Sequence, residues 1–358
     1  MPTKFYHFNP LLNHCGCKDT NPTILKNSQI PQNHKNFQIK VSFYNNFDKI
    51  LGYFKFTEVF MDSLLFFQQM INGFSLGSMY ALIAIGYTMV YGVLRLINFA
   101  HGDIMMVGAY TALFGIANLH IPFAFSLLFA VTIAVLLGVS IDKIAYKPLR
   151  EAPRISLLIT AIGISFLLEN LFNVIFGGTP RLFPVPEFFE KIVQIGGINI
   201  TMSAILVPIL TLVLLSVVLM ILFKTKYGMA IRALAFDIKT VNLMGISSNF
   251  IISIVFALGS ALAAVGGVFW AISYPSVDPL MGVLIGLKAF AAAVLGGIGS
   301  VTGAVLGGFI IGFTEVVAVA LYPDLGGFKD AFAFIFLIFV LLFKPTGILG
   351  INFEKSRF

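Results

Sequence analysis

Residues 63–94 read SLLFFQQMINGFSLGSMYALIAIGYTMVYGVL, a stretch of 32 residues without a formal charge. One helical crossing of a bilayer core needs about 20 apolar residues, so this stretch is long enough to cross. Similar uncharged stretches recur along most of the chain. Because lipid cannot pair exposed backbone groups, repeated stretches of this kind predict a bundle of transmembrane helices.

The composition agrees with a membrane bundle and argues against a soluble globule. Hydrophobic residues make up 58% of the 358-residue chain and charged residues 11%, whereas soluble proteins carry about 25% charged residues. The net charge of +7 could suggest a nucleic-acid partner. The basic side chains, however, lie in short loops between apolar stretches, where they typically set membrane topology. We therefore predict a lipid bilayer and no nucleic acid as the partner.

Nine apolar segments predict an all-α, polytopic transmembrane bundle of about eight or nine membrane segments, with boundaries set by hydropathy. They are 64–94, 104–118, 121–141, 155–176, 203–223, 249–272, 281–298, 301–322 and 330–343. Two of them, 104–118 and 330–343, are shorter than a full crossing. These are candidates for half-helices or re-entrant segments, which a membrane tolerates when protein buries them.

Basic residues cluster at 142–154, at 224–239 and in the tail from Lys344 onward. When the nine segments alternate in direction, all three clusters fall on one side of the membrane. The positive-inside rule makes that side cytoplasmic. The sequence therefore predicts a transmembrane domain over 61–350 and a cytoplasmic tail over 351–358.

Residues 1–60 differ in composition from the rest, with seven lysines, no arginine and both cysteines, Cys15 and Cys17. They contain no apolar stretch followed by a small-residue cleavage site, so they do not resemble a signal peptide. The Cys-Gly-Cys spacing also misses the usual zinc patterns, so no metal is expected. We interpret residues 1–60 as a non-functional extension, with translation starting at Met61.

The stretch 96–103, LINFAHGD, places the polar residues Asn98, His101 and Asp103 between two apolar runs. Asn98 and His101 are three residues apart and share a helical face, while Gly102 offers a place for the helix to break. Two interpretations remain open. The stretch is either a polar turn at the membrane surface or part of the lining or gate of a transport pathway.

Three ionisable residues, Glu169, Lys288 and Glu315, lie inside apolar segments. Such residues usually face protein or a water-filled cavity and find partners there. Each lies about seven residues from the outer end of its helix, or ~10 Å deep at about 1.5 Å per residue. Equal depth predicts a Lys288–Glu315 ion pair, with Glu169 as a competing partner. In the alternative, Lys288 reaches the outer mouth and binds a substrate carboxylate.

Glycines at intervals of four predict close helix packing, since small residues let helix backbones approach each other. We assign them to packing inside one subunit, with a subunit interface as the alternative. The candidate residues are Gly299, Gly303, Gly307, Gly308 and Gly312.

No G-x-x-x-x-G-K-[ST] phosphate loop occurs in the sequence. No Ser–His–Asp, H-E-x-x-H or paired-carboxylate arrangement stands out either. We therefore expect a protein that is not an enzyme and does not hydrolyse ATP itself.

From Met61 onward the chain resembles the permease components of branched-chain amino acid ABC importers, the LivH-like group. The resemblance rests on four stretches that occur in the expected order. They are NGFSLGSMYALIAIGYTMVYG at 72–92, INFAHGD at 97–103, KAFAAAVLGGIGS at 288–300 and KPTGILG at 344–350.

This resemblance implies a subunit of the cell inner membrane that carries leucine, isoleucine or valine. It also implies a second homologous permease, two cytoplasmic ATPase subunits that bind the ATP, and an extracytoplasmic substrate-binding protein. No cofactor is expected on this chain. Urea or short amides are the alternative cargo. A stand-alone secondary transporter or channel is the rival class, but the inverted repeats typical of such transporters are not evident.

The stretch YGMAIRALAFDIKTVNLMGI at 227–246 matches the family's ATPase-coupling loop, which includes Gly228, Arg232, Asp237 and Gly245. Its residues 229–244 predict one short helix that ends at Gly245 in a C-terminal capping position. In the alternative, the loop is basic only to set topology.

Overall fold

The computed structural model describes residues 63–195, 197–344 and 346–350. The predictions for residues 1–60, for Met61 and for the tail 351–358 lie outside these ranges. The described chain is an all-α bundle, as predicted. Its helices are α1 Ser63–Leu94, α2 Ala100–Ala117, α3 Phe123–Ile141, α4 Arg154–Phe176, α5 Glu187–Glu190, α6 Met202–Lys224, α7 Lys226–Phe236, α8 Ile238–Leu243, α9 Ser248–Ser273, α10 Met281–Gly296, α11 Val301–Leu321 and α12 Lys329–Phe343.

Short irregular turns and four small strands complete the described elements. A π-helical turn, Asp142–Tyr146, and a 3₁₀ turn, Lys147–Leu149, extend α3, and a second 3₁₀ turn, Pro323–Phe328, precedes α12. The strands are β1 Arg181–Leu182, β2 Ile192–Ile195, β3 Ile198–Thr201 and β4 Ser276–Val277. Strand β1 pairs antiparallel with β4, and β2 forms an antiparallel hairpin with β3.

Each of the nine predicted apolar segments is a helix. Seven helical segments among the described residues are long and apolar enough to cross a membrane. The shorter α10 has 16 residues, or ~24 Å at about 1.5 Å per residue. Helix α2 begins at Ala100, so the stretch 96–103 already belongs in part to the bundle.

One end of the bundle holds the β2–β3 hairpin, and we call it the hairpin end. The side-chain amide of Gln68, near the start of α1, donates to the backbone oxygen of Asn199 in β3 at 3.0 Å. The β1–β4 pairing places the end of α4 beside the end of α9.

The opposite end holds the basic segments, and we call it the basic end. Arg150, after α3, forms an ion pair with Asp142 and a hydrogen bond with Asn249 at the start of α9. The amide of Ile348 donates to the carbonyl of Leu295 at the end of α10 at 2.9 Å. Arg95, just after α1, donates to the carbonyl of Ala235 in α7 at 3.4 Å. The described parts of the three basic clusters therefore lie at the same end of the bundle, as their alternation predicts.

Helix α1 lies at the centre and packs against α11, α9, α10 and α6. The peripheral helices expose apolar side chains, such as Val174 of α4, Met220 of α6 and Leu342 of α12. An apolar exterior around a packed interior is what a lipid environment selects.

The glycines of α11 lie against two different helices. A β-carbon at Gly303 or Gly307 would lie 2.4 or 2.0 Å from a carbonyl oxygen of α10, while one at Gly308 or Gly312 would lie 2.6 or 2.3 Å from a backbone nitrogen of α1. The prediction for Gly299 is wrong. This residue lies in the turn between α10 and α11, with φ 94°, and not on a packing face of a helix.

The prediction that the helix could break at Gly102 is also wrong. Helix α2 runs through it without a break. The glycine serves close packing and not a helix break, since a β-carbon at Gly102 would lie 2.3 Å from the carbonyl oxygen of Gly282 on α10.

Candidate functional site

Lys288, inside α10, is the centre of a buried group of charged and polar side chains. Its Nζ lies 2.9 Å from Glu315 Oε1 and 3.1 Å from the Tyr80 hydroxyl, and it also forms an ion pair with Asp330. Lys288 is only 4% exposed. The predicted Lys288–Glu315 pair is therefore present. We call Tyr80, Lys288, Glu315 and Asp330 the ion-pair cluster.

Close helix packing brings the cluster together. Tyr80 lies on α1 and Glu315 on α11, and the contacts of Gly308 and Gly312 with α1 let these two helices approach. The Tyr80 hydroxyl donates to Glu315 Oε2 at 2.9 Å, and Tyr80 is fully buried. A buried tyrosine hydroxyl normally has such a partner.

Lys288 Nζ contacts the Tyr80 hydroxyl, both oxygens of Glu315 and the carboxylate of Asp330, so its three N–H donors are all engaged inside the cluster. No donor remains for a substrate carboxylate. The alternative that Lys288 itself contacts the substrate therefore does not fit the geometry.

A cavity of about 580 Å³ opens next to the cluster at the hairpin end, between α1, α6, α9 and α11. Small-molecule sites commonly measure about 300–1,000 Å³. Glu315 lines the cavity, together with Ser273, Tyr274 and Lys329 among other residues. Burial, and next the charge of Glu315, raise the pKa of the Tyr274 phenol, so this side chain stays a neutral donor. The cavity is therefore polar at the cluster and can hold a charged small molecule.

The second polar group gathers most of the other predicted residues. Asn98, His101 and Asp103 are 2%, 1% and 1% exposed, so they lie inside the bundle and not in a turn at its surface. Asn98 Oδ1 accepts a hydrogen bond from the Tyr146 hydroxyl at 2.7 Å. The His101 ring lies 4.6 Å from that of Tyr87, in an edge-on arrangement.

Glu169 joins this second group and not Lys288. The Ser165 hydroxyl of α4 donates to Asp103 and lies 3.2 Å from Glu169 Oε1. The serine thus connects the two carboxylates and ties α4 to α2. A smaller cavity of about 160 Å³, lined by Tyr87, Ser165 and Glu169 among others, adjoins them.

The predicted coupling segment consists of two helices and not one. Asp237 has an extended backbone (φ −154°, ψ 112°) that separates α7 from α8, so the single helix over 229–244 is wrong. The end is as predicted, because Gly245 has φ 81°, the left-handed conformation of a C-terminal cap. Thr225 caps the start of α7 by accepting from the amide of Gly228 at 3.1 Å.

Gly228 and Arg232 fix α7 against the end of α6. A β-carbon at Gly228 would lie 2.2 Å from the carbonyl oxygen of Leu222, so a larger residue does not fit there. The Arg232 guanidinium lies 5.2 Å from the centre of the Phe223 ring, a cation–π contact.

The α7–α8 segment exposes several large apolar side chains. Its exposed side chains include Met229, Phe236, Leu243 and Met244, and Leu243 is 88% exposed. At the basic end of a membrane bundle the surface is expected to face water or a partner, so exposed apolar side chains there need a partner to cover them. They therefore form a candidate docking surface.

Seven long apolar helical segments among the described residues, a buried ion pair inside the bundle and a polar cavity at one end define a multi-span helical membrane protein. Residues 69–341 match the protein family described as branched-chain amino acid transport system / permease component, and the chain belongs to this family.

Several curated proteins resemble the chain over most of their length. The high-affinity branched-chain amino acid transport system permease protein BraD of Pseudomonas aeruginosa is 42% identical over 296 residues, covering 80% of this chain and 96% of BraD. The corresponding protein LivH of Escherichia coli K12 is 41% identical over 301 residues, with the same coverage. No solved structure matches the chain.

Proposed function

We propose that the chain is a membrane-spanning permease subunit of an ABC importer in the cell inner membrane, and that it carries branched-chain amino acids inward. The observation that carries this proposal is the 42% identity with BraD over 96% of that protein's length. Because the alignment covers nearly all of BraD, little of the BraD sequence lacks a counterpart in this chain.

The proposal includes partner subunits. A second homologous permease completes the pathway, two cytoplasmic ATPase subunits bind and hydrolyse ATP, and an extracytoplasmic binding protein delivers the cargo. The gathering of basic residues at one end supports a cytoplasmic basic end and, with it, a cytoplasmic C-terminus. The hairpin end then faces the binding protein.

The α7–α8 segment is the proposed docking site for an ATPase subunit. Its exposed apolar side chains, with Lys226 and Arg232 on the same segment, suit insertion of a short helix into a partner's groove. Gly228 and Thr225 hold the segment against α6, so motion of the ATPase can reach the bundle.

The polar residues inside the bundle are the proposed pathway elements. The ion-pair cluster borders the cavity at the hairpin end, where cargo would enter. The second polar group consists of Asn98, just before α2, His101 and Asp103 on α2, and Glu169 on α4. The ion-pair cluster pairs its buried charges, and Ser165 connects the carboxylates of the second group by hydrogen bonding, as expected for ionisable side chains inside a membrane bundle.

Competition for uptake tests the cargo. Cells that lack their own leucine uptake would express the chain with its neighbouring subunits, and uptake of labelled leucine would be measured. We expect excess valine or isoleucine to suppress uptake and excess urea or acetamide to leave it unchanged. Suppression by urea, or labelled urea entry in place of leucine, would contradict the proposal and favour an amide permease.

A further inference from the structure

The ion-pair cluster carries more negative than positive charge. One ammonium, that of Lys288, faces the carboxylates of Glu315 and Asp330. Lys288 is buried away from the cavity, while Glu315 lines it. A molecule in the cavity therefore meets a carboxylate and not the ammonium.

Glu315 has room for one more donor. An ionised carboxylate offers about four acceptor positions. Lys288 uses one on each oxygen, at 2.9 and 3.1 Å, and the Tyr80 hydroxyl uses one on Oε2 at 2.9 Å. Because Asp330 also neutralises Lys288, Glu315 can accept from a second cation without losing the first.

The same cavity offers a positive group and an unused hydroxyl. Lys329, an exposed lysine at the start of α12, lines it, and so does Ser273 at the end of α9. The Ser273 Oγ is buried and has no hydrogen-bond partner among the described residues. Leu76, Met79 and Val316 supply apolar wall between these polar groups.

We propose that this cavity binds the zwitterion of an aliphatic α-amino acid within the permease itself, with its ammonium on the Glu315 carboxylate. The cargo carboxylate lies toward Lys329 and Ser273, and its side chain contacts Leu76, Met79 and Val316. This inference rests on the proposed function and deepens it, because it assigns the cargo a binding site on this chain. Discrimination then depends on both charged ends of the cargo and not on the apolar side chain alone.

Protection of a reporter cysteine tests the site. Val319 lines the cavity, and the natural cysteines, Cys15 and Cys17, can be replaced so that V319C carries the only thiol of this chain, whose labelling is then followed on this subunit's band. The assembled importer in membrane vesicles would be treated with N-ethylmaleimide, with and without ligand. We expect leucine at about ten times its Kd to slow labelling about tenfold, since the unoccupied fraction of sites falls as 1/(1 + L/Kd), where L is the free ligand concentration.

Two analogues and two variants locate the charges. We expect 4-methylpentanoate, which lacks the ammonium, to give no protection, and leucinamide, which keeps it, to protect partly. Adding E315Q to V319C should abolish protection while the labelling rate without ligand stays unchanged, because glutamine still accepts from Lys288. The matched control E190Q, an exposed carboxylate at the same end, should keep full protection.

Each contrary result overturns the site. Absence of protection by leucine, equal protection by 4-methylpentanoate, or full protection in the E315Q background would each do so. ATP-driven leucine uptake by the same vesicles separates the two proposals. Uptake without protection rejects only the cavity site, whereas absence of uptake contradicts the importer function.

Discussion

At the scale of single residues, Lys288 shows what depth along a helix can predict and what it cannot. Counting residues from helix ends places Lys288 and Glu315 at equal depth, and their ion pair follows. Asp330 and Tyr80 could not be predicted this way. Asp330 lies in the first turn of a helix, where acidic residues are common. In the sequence, Tyr80 does not differ from other aromatic residues within apolar segments. Their roles depend on which helix faces meet, and that is decided by packing.

Removing the ammonium should destabilise the protein. Lys288→Met leaves the carboxylate of Glu315 buried beside Tyr80, and breaking a buried pair costs about 3–5 kcal/mol. We expect a lower thermal midpoint in detergent and less protein in the membrane. The double variant Lys288→Met with Glu315→Gln should recover most of the loss, since Asp330 is partly exposed and can be hydrated.

The control for that experiment is Lys329→Met, which removes an exposed lysine one residue from Asp330. It should leave the thermal midpoint unchanged. A Lys288→Met protein as stable as the wild type would show that the ion-pair cluster does not hold the fold.

The hydroxyl of Ser165 should likewise stabilise the protein by linking α4 to α2. Ser165→Ala removes the hydroxyl between Asp103 and Glu169 and leaves buried acceptors unpaired, at a cost of about 1–3 kcal/mol. We expect a reduced thermal midpoint by differential scanning fluorimetry. Ser216→Ala is the control, because that exposed hydroxyl bonds only within its own helix. Equal effects of the two changes would refute the bridging role.

At the scale of elements, apolar length predicted the nine main helices, but local backbone geometry was harder to predict. The good helix formers of 229–244 favour one helix, yet the extended backbone at Asp237 divides the segment. The glycine spacing predicted close packing correctly. It could not tell that Gly303 and Gly307 face α10 while Gly308 and Gly312 face α1.

Filling the contact between α11 and α1 should disrupt the bundle. In Gly308→Val the β-carbon alone would lie 2.6 Å from the Ala81 nitrogen, and overpacking typically costs about 1–3 kcal/mol. The separation of α1 from α11 should also weaken the Tyr80–Glu315 hydrogen bond. The matched control is Gly163→Val on α4, where nothing lies within 4 Å. Equal stability of the two variants, measured by thermal unfolding, would contradict the packing assignment.

The end of α8 provides a test of coupling. Gly245 has φ 81° and open space around it, so Gly245→Val strains the backbone without a steric clash. Because the change alters the proposed docking segment, we expect ATPase subunits to co-purify less and ATP-driven transport to fall severalfold. Membrane insertion should be unaffected.

Gly177 offers a close match for this test, with φ 82° and no neighbour within 4 Å, but at the hairpin end. Gly177→Val should keep both ATPase co-purification and transport. If the two variants lose transport equally while ATPases still co-purify, the docking site lies elsewhere.

At the scale of the whole molecule, the two ends of the bundle have different characters. The basic end holds the described parts of the three basic clusters and the exposed apolar side chains of α7–α8. The hairpin end holds the cavity bordered by Glu315 and Lys329. Alternation of apolar segments predicted this division, whereas the cavity depends on how α1, α6, α9 and α11 close around it. The division suits a subunit that receives cargo at one end and is driven from the other.

Uptake into reconstituted vesicles tests this account most directly. The purified assembly of this chain and its partner subunits would be placed in vesicles loaded with ATP, with the binding protein and labelled leucine outside. The account predicts leucine accumulation that requires both ATP and the binding protein and that disappears when this chain is omitted. Leucine accumulation that persists with a non-hydrolysable ATP analogue in place of ATP would contradict it.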